Sequence, residues 1–272
     1  MTKILKALRA FGLILKKPVL LNKVLQEPDF WQEHVKKKHG LGEGLPVLDP
    51  SALFGQEYSE ELNIFTCLDG GSLITDIALL RGLARKFDEC RYFEIGTWRG
   101  ESAVNLAEIC KEVFTLNLSK PEMQDLNIPE GVIDQQDMFS KDVDNIIHLK
   151  GNSRNYNYAA MAKKFDLIFI DGSHHYDDVK NDTEQVFTHL VHDNSIVVWH
   201  DYGASPDEVR FQVFAGLLDG LDREKHKHLY HVAHTKSAVY CKQAFHTEKL
   251  EKPFKPGFYY SVNLKYTPIE KG

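Results

Sequence analysis

The sequence predicts an α/β fold, a largely parallel sheet with helices on both faces, and three observations carry that reading. Between Ser72 and about residue 242, short apolar runs rich in β-branched and aromatic residues alternate with helical patterns, as in βαβ units. Most of those runs lack period-two alternation, as strands buried on both faces do. The chain has 272 residues, 43% hydrophobic and 26% charged, enough for one large core and unlike disordered, collagen-like or coiled-coil sequences.

The first central element is a helix with Ser72 as its N-cap, Asp76 near its positive end, and Leu73, Ile77, Leu80 and Leu83/Ala84 along one stripe. Strands are expected at Tyr92–Ile95, Val113–Leu118, Ile146–Leu149, Phe165–Ile170 and Ile196–Trp199. After the fourth of these, Val179, Thr183, Val186 and Leu190 recur at helical spacing, with Asp182 among the intervening polar positions. After the fifth, Ser205-Pro206-Asp207-Glu208 reads as a helix start followed by Val209, Val213 and Leu217, with Gly220 ending the helix. Leu229–His234 and Ser237–Cys241 read as two closing strands that add an antiparallel edge. His226, His228, His231 and His234 fall around them and are expected to face solvent.

Charge is unevenly spread. Residues 1–40 hold nine Lys/Arg and three Asp/Glu, while the whole chain has 33 and 39 and a net charge of -6. That balance argues against a nucleic-acid partner, which needs a concentrated basic surface. Ile4, Leu8, Phe11 and Leu15 form an apolar stripe among Lys3, Lys6, Arg9, Lys16 and Lys17. The expected reading is a helix packed on the domain or on a dimer partner, and the alternative is a helix lying in a membrane surface. No membrane span or secretory signal is expected, because the best early apolar stretch, Phe11 to Leu21, is broken by two lysines. Cys67, Cys90, Cys110 and Cys241 are widely spaced, with no C-x-x-C pair, and read as reduced thiols in a cytoplasmic protein.

Three strand ends carry chemistry. Tyr92 to Ser102 runs from a buried strand through Gly96-Thr97-Trp98-Arg99-Gly100 into a helix, and the Gly-x-x-x-Gly spacing, with Trp98 at the middle glycine position, disfavours a dinucleotide fingerprint. Asp166 to Tyr176 and Ser195 to Tyr202 each place polar residues directly after a strand. Ligands of open α/β sheets sit at the carboxyl ends of strands, so Gly96, Asp171, His174, His200 and Asp201 should converge on one rim.

With Gly151-Asn-Ser153 added, these segments resemble class I S-adenosylmethionine-dependent methyltransferases, and in particular the metal-dependent small-molecule O-methyltransferases that act on macrolide sugars or cephalosporin-type compounds. The resemblance covers about residues 66–242 and neither terminus. It implies a Rossmann-like, doubly wound seven-strand sheet, mostly parallel with an antiparallel C-terminal edge strand. The domain would span 67–245, between an N-terminal helical extension (1–66) and a C-terminal tail (246–272) wrapped over the surface.

By the same resemblance, Glu94, Gly96, Thr97, Trp98 and Gly100 match the loop around the cofactor's methionine part, and Ser72 matches the position that holds its carboxylate. Asn117 stands where the ribose-binding residue is usually acidic, and Asn152 and Ser153 match the adenine side. Asp171, His200 and Asp201 match a divalent-metal site, with Asp171 also bordering the cofactor, and His174 matches a catalytic base. His200 stands where such relatives often carry a carboxylate, so either the ligand set shrinks to Asp171 and Asp201 or the preferred metal shifts from Mg²⁺ towards a transition metal. The implied activity is methyl transfer from S-adenosylmethionine to a hydroxyl of a small-molecule acceptor, with sugar-containing acceptors among the candidates. A noncatalytic adenosyl-ligand-binding scaffold and a metal-dependent hydrolase are the rival readings. A homo-oligomer is compatible with each.

Overall fold

The computed structural model describes residues 2–18, 20, 28–65, 70–250 and 257–268. Helices α1 (Lys3–Lys16) and α2 (Pro28–His39) precede β1 (Val47–Leu48), α3 (Pro50–Phe54) and α4 (Ile74–Ala84). The central run is β2 (Arg91–Ile95), α5 (Glu101–Ala107), β3 (Glu112–Asn117), α6 (Lys120–Asp125), α7 (Glu130–Ile133), β4 (Ile146–Lys150), β5 (Phe165–Ile170), α8 (Tyr176–His189) and β6 (Val191–Trp199). A short hairpin follows, β7 (Gly203–Ser205) and β8 (Glu208–Val209), then α9 (Phe211–Asp219), β9 (Leu229–Val232) and β10 (Ala238–Tyr240).

The main sheet has the order β1-β9-β10-β6-β5-β2-β3-β4. It is parallel throughout except for β10, which runs antiparallel to both β6 and β9. This is the expected Rossmann-like doubly wound sheet with its antiparallel strand towards one edge. Among the described residues it has eight strands rather than seven, because the two-residue β1 adds beside β9 in parallel, with Val47 opposite His231.

Alternate side chains of each central strand feed two separate apolar layers. Phe93, Ile95, Ile168, Ile170, Val197 and Trp199 pack under α8 and α9, against Val179, Val186, Phe214 and Leu217. Tyr92, Leu167, Phe169, Ile196 and Val198 pack on the opposite face against Leu79, Leu80 and Leu83 of α4 and Leu106 of α5. Burial on both faces is why these strands read as continuous apolar runs.

Several expectations change. Leu73, not Ser72, is the N-cap of α4, and its backbone N–H donates to the Asp76 carboxylate at 3.2 Å. Ser205 to Glu208 does not start a helix. It turns the β7–β8 hairpin, Ser205 Oγ donating to Asp207 at 2.7 Å, and α9 begins at Phe211. The same residue types favour helix caps and tight turns, and the pairing of Gly203 with Val209 selects the turn. His231 is buried, its Nε2 near the Thr235 carbonyl. Asp182 is also buried, and burial pushes its carboxyl up to about 6.

The N-terminal region divides. Val35, Leu45, Leu48 and Leu53 belong to the domain core. α1, by contrast, buries none of its residues, so it is not packed on the domain as expected. Tail residue Glu248 bridges to Val47, and Phe258 lies against His234, ring centroids 4.3 Å apart. Cys90, Cys110 and Cys241 are free, buried thiols. Cys67, Leu21 and the boundary at 66/67 lie outside the described residues. No helix among the described residues is long and apolar enough to cross a membrane.

Candidate active site

The ends of β4, β2, β5 and β6 are joined in a staggered ladder of backbone hydrogen bonds. Gly151 N–H donates to Asn117, Gly96 to Leu116, Asp171 to Ile95, and His200 to Ile170, all at 2.8–3.0 Å. The first residue after each strand is therefore tied to its neighbour's end, and the turns that follow open onto one cleft of about 1270 Å³. β2 and β5 lie side by side at the point where connections leave in opposite directions, the place where such sheets bind ligands.

Of the residues singled out in the sequence, Gly96, Trp98, Asn117, Asn152, Ser153, Asp171, His174, His200 and Asp201 line this cleft. Ser72, Glu94, Thr97 and Gly100 do not. Glu94 lies beneath it, fully buried, accepting hydrogen bonds from Tyr92 (2.7 Å) and from Ser102 of α5 (2.8 Å). Burial pushes its carboxyl up to about 8. Through Oε2 it ties β2 to α5, while its Oε1 is buried without a partner among the described residues.

Both turn glycines answer to the protein's own packing. A Cβ on Gly96, at φ +96°, would lie 2.0 Å from the Asp171 carbonyl oxygen, and one on Gly100, at φ +85°, would lie 2.1 Å from Ser140 Oγ. The protein's own packing is by itself enough to require glycine at both positions. Between them Trp98 takes a positive φ of 44°, with its indole N–H buried and lacking a hydrogen-bond partner among the described residues. Asn117 donates its side-chain amide to Gln136, which also lines the cleft.

His200 is the centre of charge. Its Nδ1 lies 2.9 Å from Asp171 Oδ1 and 3.7 Å from Asp201 Oδ2, and its Nε2 lies 3.4 Å from Asp76. Burial opposes a charge on the ring, but the facing carboxylates, Asp171 first, hold its pKa well above the ordinary histidine value. Burial raises Asp171 in turn, against the pull of His200. For Asp201 burial also opposes the charge, yet His200 and Arg210 carry the carboxyl down to about 2. Neither ring nitrogen makes a well-aligned hydrogen bond. Once the ring gives up the proton that these carboxylates favour, the buried, unaligned Nδ1 and a carboxylate oxygen from each of Asp171 and Asp201, all within 4.8 Å, form a donor set that fits a divalent cation.

His174 stands at the open side of this group. His175, not His174, is the N-cap residue of α8, which leaves His174 outside the helix cap. Burial and then Arg210 lower the His174 pKa, against the smaller pull of Asp201 and Asp171.

Sequence reasoning missed several residues in and beneath the cleft. Asp76 was read as a helix-dipole acid, but it is fully buried, accepts from Ser237 (2.7 Å) and the Lys236 backbone (3.0 Å), and backs His200. Arg210 lies 3.4 Å from Asp201, and Lys236 lines the cleft without an ion pair among the described residues. Trp31 reaches the rim from α2, stacked on Tyr176 at 4.6 Å. α2 is pinned by buried Asp219, which meets His34 (2.9 Å), Lys38 (2.8 Å), His39 (2.6 Å) and Tyr176 (2.7 Å). An acid at the start of an apolar stripe was a usable signal for Asp76. Trp31 offered none, because it is remote in sequence from every strand end.

Residues 93–202 match a family model described as a methyltransferase domain, which supports a methyltransferase over that span. No curated protein sequence matches the chain. Among solved structures, a candidate O-methyltransferase from Klebsiella pneumoniae is similar at 14% identity and a TM-score of 0.45, over 65% of this chain and 84% of that one. The methyltransferase PaMTH1 from Podospora anserina, bound to SAH, is similar at 19% identity and a TM-score of 0.43, over 64% and 81%. The YcgJ protein of Bacillus subtilis is similar at 19% identity and a TM-score of 0.35 over 48% of this chain, which spans about half of that protein, 53%.

Proposed function

We propose that the chain transfers the methyl group of S-adenosylmethionine to a hydroxyl of a small acceptor, assisted by a divalent metal. One observation carries the reading: the strand-end turns of β2, β3, β4, β5 and β6 line a single cleft, and they fall within the span that matches the methyltransferase domain. A cleft of about 1270 Å³ is larger than most single-ligand sites and accommodates a nucleoside cofactor beside an acceptor.

Bound there, S-adenosylmethionine supplies a methyl group made electrophilic by its sulfonium. Gly70, Gly71, Gly96 and Trp98 form the wall assigned to its methionine part, and Asn117, Gln136, Leu118, Asn152 and Ser153 the wall assigned to its adenosine. The amide pair Asn117–Gln136 offers ribose hydroxyls neutral partners in place of the usual carboxylate. Asp171, His200 and Asp201 would hold the metal, which lowers the proton affinity of a nearby hydroxyl.

His174 takes the acceptor's proton. Its lowered pKa keeps the ring neutral, and so able to accept, at neutral pH. Arg210 and Lys236 face the same end of the cleft and orient an acceptor's polar groups.

The test is methyl transfer to a panel of small hydroxyl compounds, read by product mass, with and without excess chelator. Transfer that falls on chelation supports the whole reading. Unchanged transfer removes the metal alone. Cofactor binding without transfer to any acceptor favours the scaffold, and metal binding without cofactor binding favours the hydrolase.

A further inference from the structure

α1 is the part of the molecule that the proposed chemistry leaves unused, and it is built unlike a solvated helix. Ile4, Leu8, Phe11 and Leu15 are 74%, 64%, 61% and 67% exposed. At 3.6 residues per turn they fall within an arc of about 60°. Lys3, Lys6, Arg9 and Lys16, with Lys17 at the C-cap, stand roughly 100° or more from the centre of that arc, and the helix has no acidic residue. A compact apolar stripe that size is normally covered.

The geometry points to an anionic lipid surface as what covers it, with α1 lying in the headgroup plane. Fourteen residues make a helix of about 21 Å, too short to cross a bilayer core of about 30 Å, but long enough to seat one apolar face in its boundary. Charge complementarity selects this occupant over a second copy. A second copy seated on this face would offer the cations, which point away from the arc, no carboxylate from its own helix, whereas acidic headgroups neutralise the basic flanks of a helix lying among them. The rest of the chain carries the excess of acid, since residues 1–40 hold nine of the 33 basic but only three of the 39 acidic residues. An anionic surface would therefore attract α1 and repel the catalytic domain, which leaves the cleft free. This inference does not depend on the methyl-transfer reading.

The experiment is co-sedimentation of the full chain with phosphatidylcholine vesicles, with and without phosphatidylserine. Binding should be at least about tenfold stronger with phosphatidylserine and should weaken with salt. Lys6→Gln and Arg9→Gln should each weaken it about fivefold, and Phe11→Asp should abolish it. Because α1 buries nothing in the domain, all three variants should unfold at the wild-type temperature. Equal sedimentation of wild type and Phe11→Asp would overturn the proposal. So would a wild-type chain that ignores phosphatidylserine vesicles, including one that forms a lipid-free dimer split by Phe11→Asp.

Discussion

His200, itself buried, meets three carboxylates, and that crowding sets the charge around it. His174, across the cleft mouth, is the residue expected to move a proton. His174→Ala should lower the single-turnover rate by about 10²–10⁴-fold with cofactor affinity retained, while His175→Ala, which alters only the start of α8, should do far less. Near-normal turnover in His174→Ala would reassign the base. At Gly96, Ala would meet the Asp171 carbonyl at positive φ, so Gly96→Ala should destabilise the protein by roughly 2–4 kcal/mol in denaturant melts. Wild-type stability would show that the turn relaxes cheaply. The sequence revealed the polar residues after each strand because they interrupt apolar runs. It did not reveal that Gly96 serves the contact with Asp171, since that depends on the spacing of two turns distant in sequence.

Between elements, Glu94 joins β2 to α5 and imposes a pH dependence. Its carboxyl titrates near 8 when folded and near 4.5 in its ordinary state. Between those values the folded chain keeps a proton that the unfolded chain has released, so this group makes stability fall as pH rises from about 4.5 to 8, after which its effect is constant. Glu94→Gln can still accept from Tyr92 and Ser102 without titrating. Relative to wild type it should gain a few kcal/mol of stability between pH 5 and pH 8 in paired melts. A constant difference across that range would contradict the burial argument. The α2 latch makes a second case. Asp219→Ala removes the shared partner of His34, Lys38, His39 and Tyr176 and should cost about 1–3 kcal/mol. By releasing Trp31 from the rim, it should also raise the acceptor KM more than it changes cofactor affinity. This latch was illegible in the sequence because its two halves lie far apart.

For the whole molecule, legibility followed length and burial. β2, β3, β5 and β6 are long, buried on both faces and written as apolar runs, so the doubly wound order and the cleft at its switch point could be read from Tyr92 to Trp199. β1, two residues long, has no period to detect, and the β7–β8 turn uses the letters of a helix cap. The cleft also takes Trp31, Arg210 and Lys236 from segments that only folding brings together. The central claim is that this cleft binds the adenosyl cofactor, and calorimetric titration with S-adenosylhomocysteine tests it most directly. Saturable binding of one molecule per chain is expected, weakened about tenfold or more in Trp98→Ala and nearly unchanged in His174→Ala. A folded wild-type chain that shows no saturable binding would contradict the account.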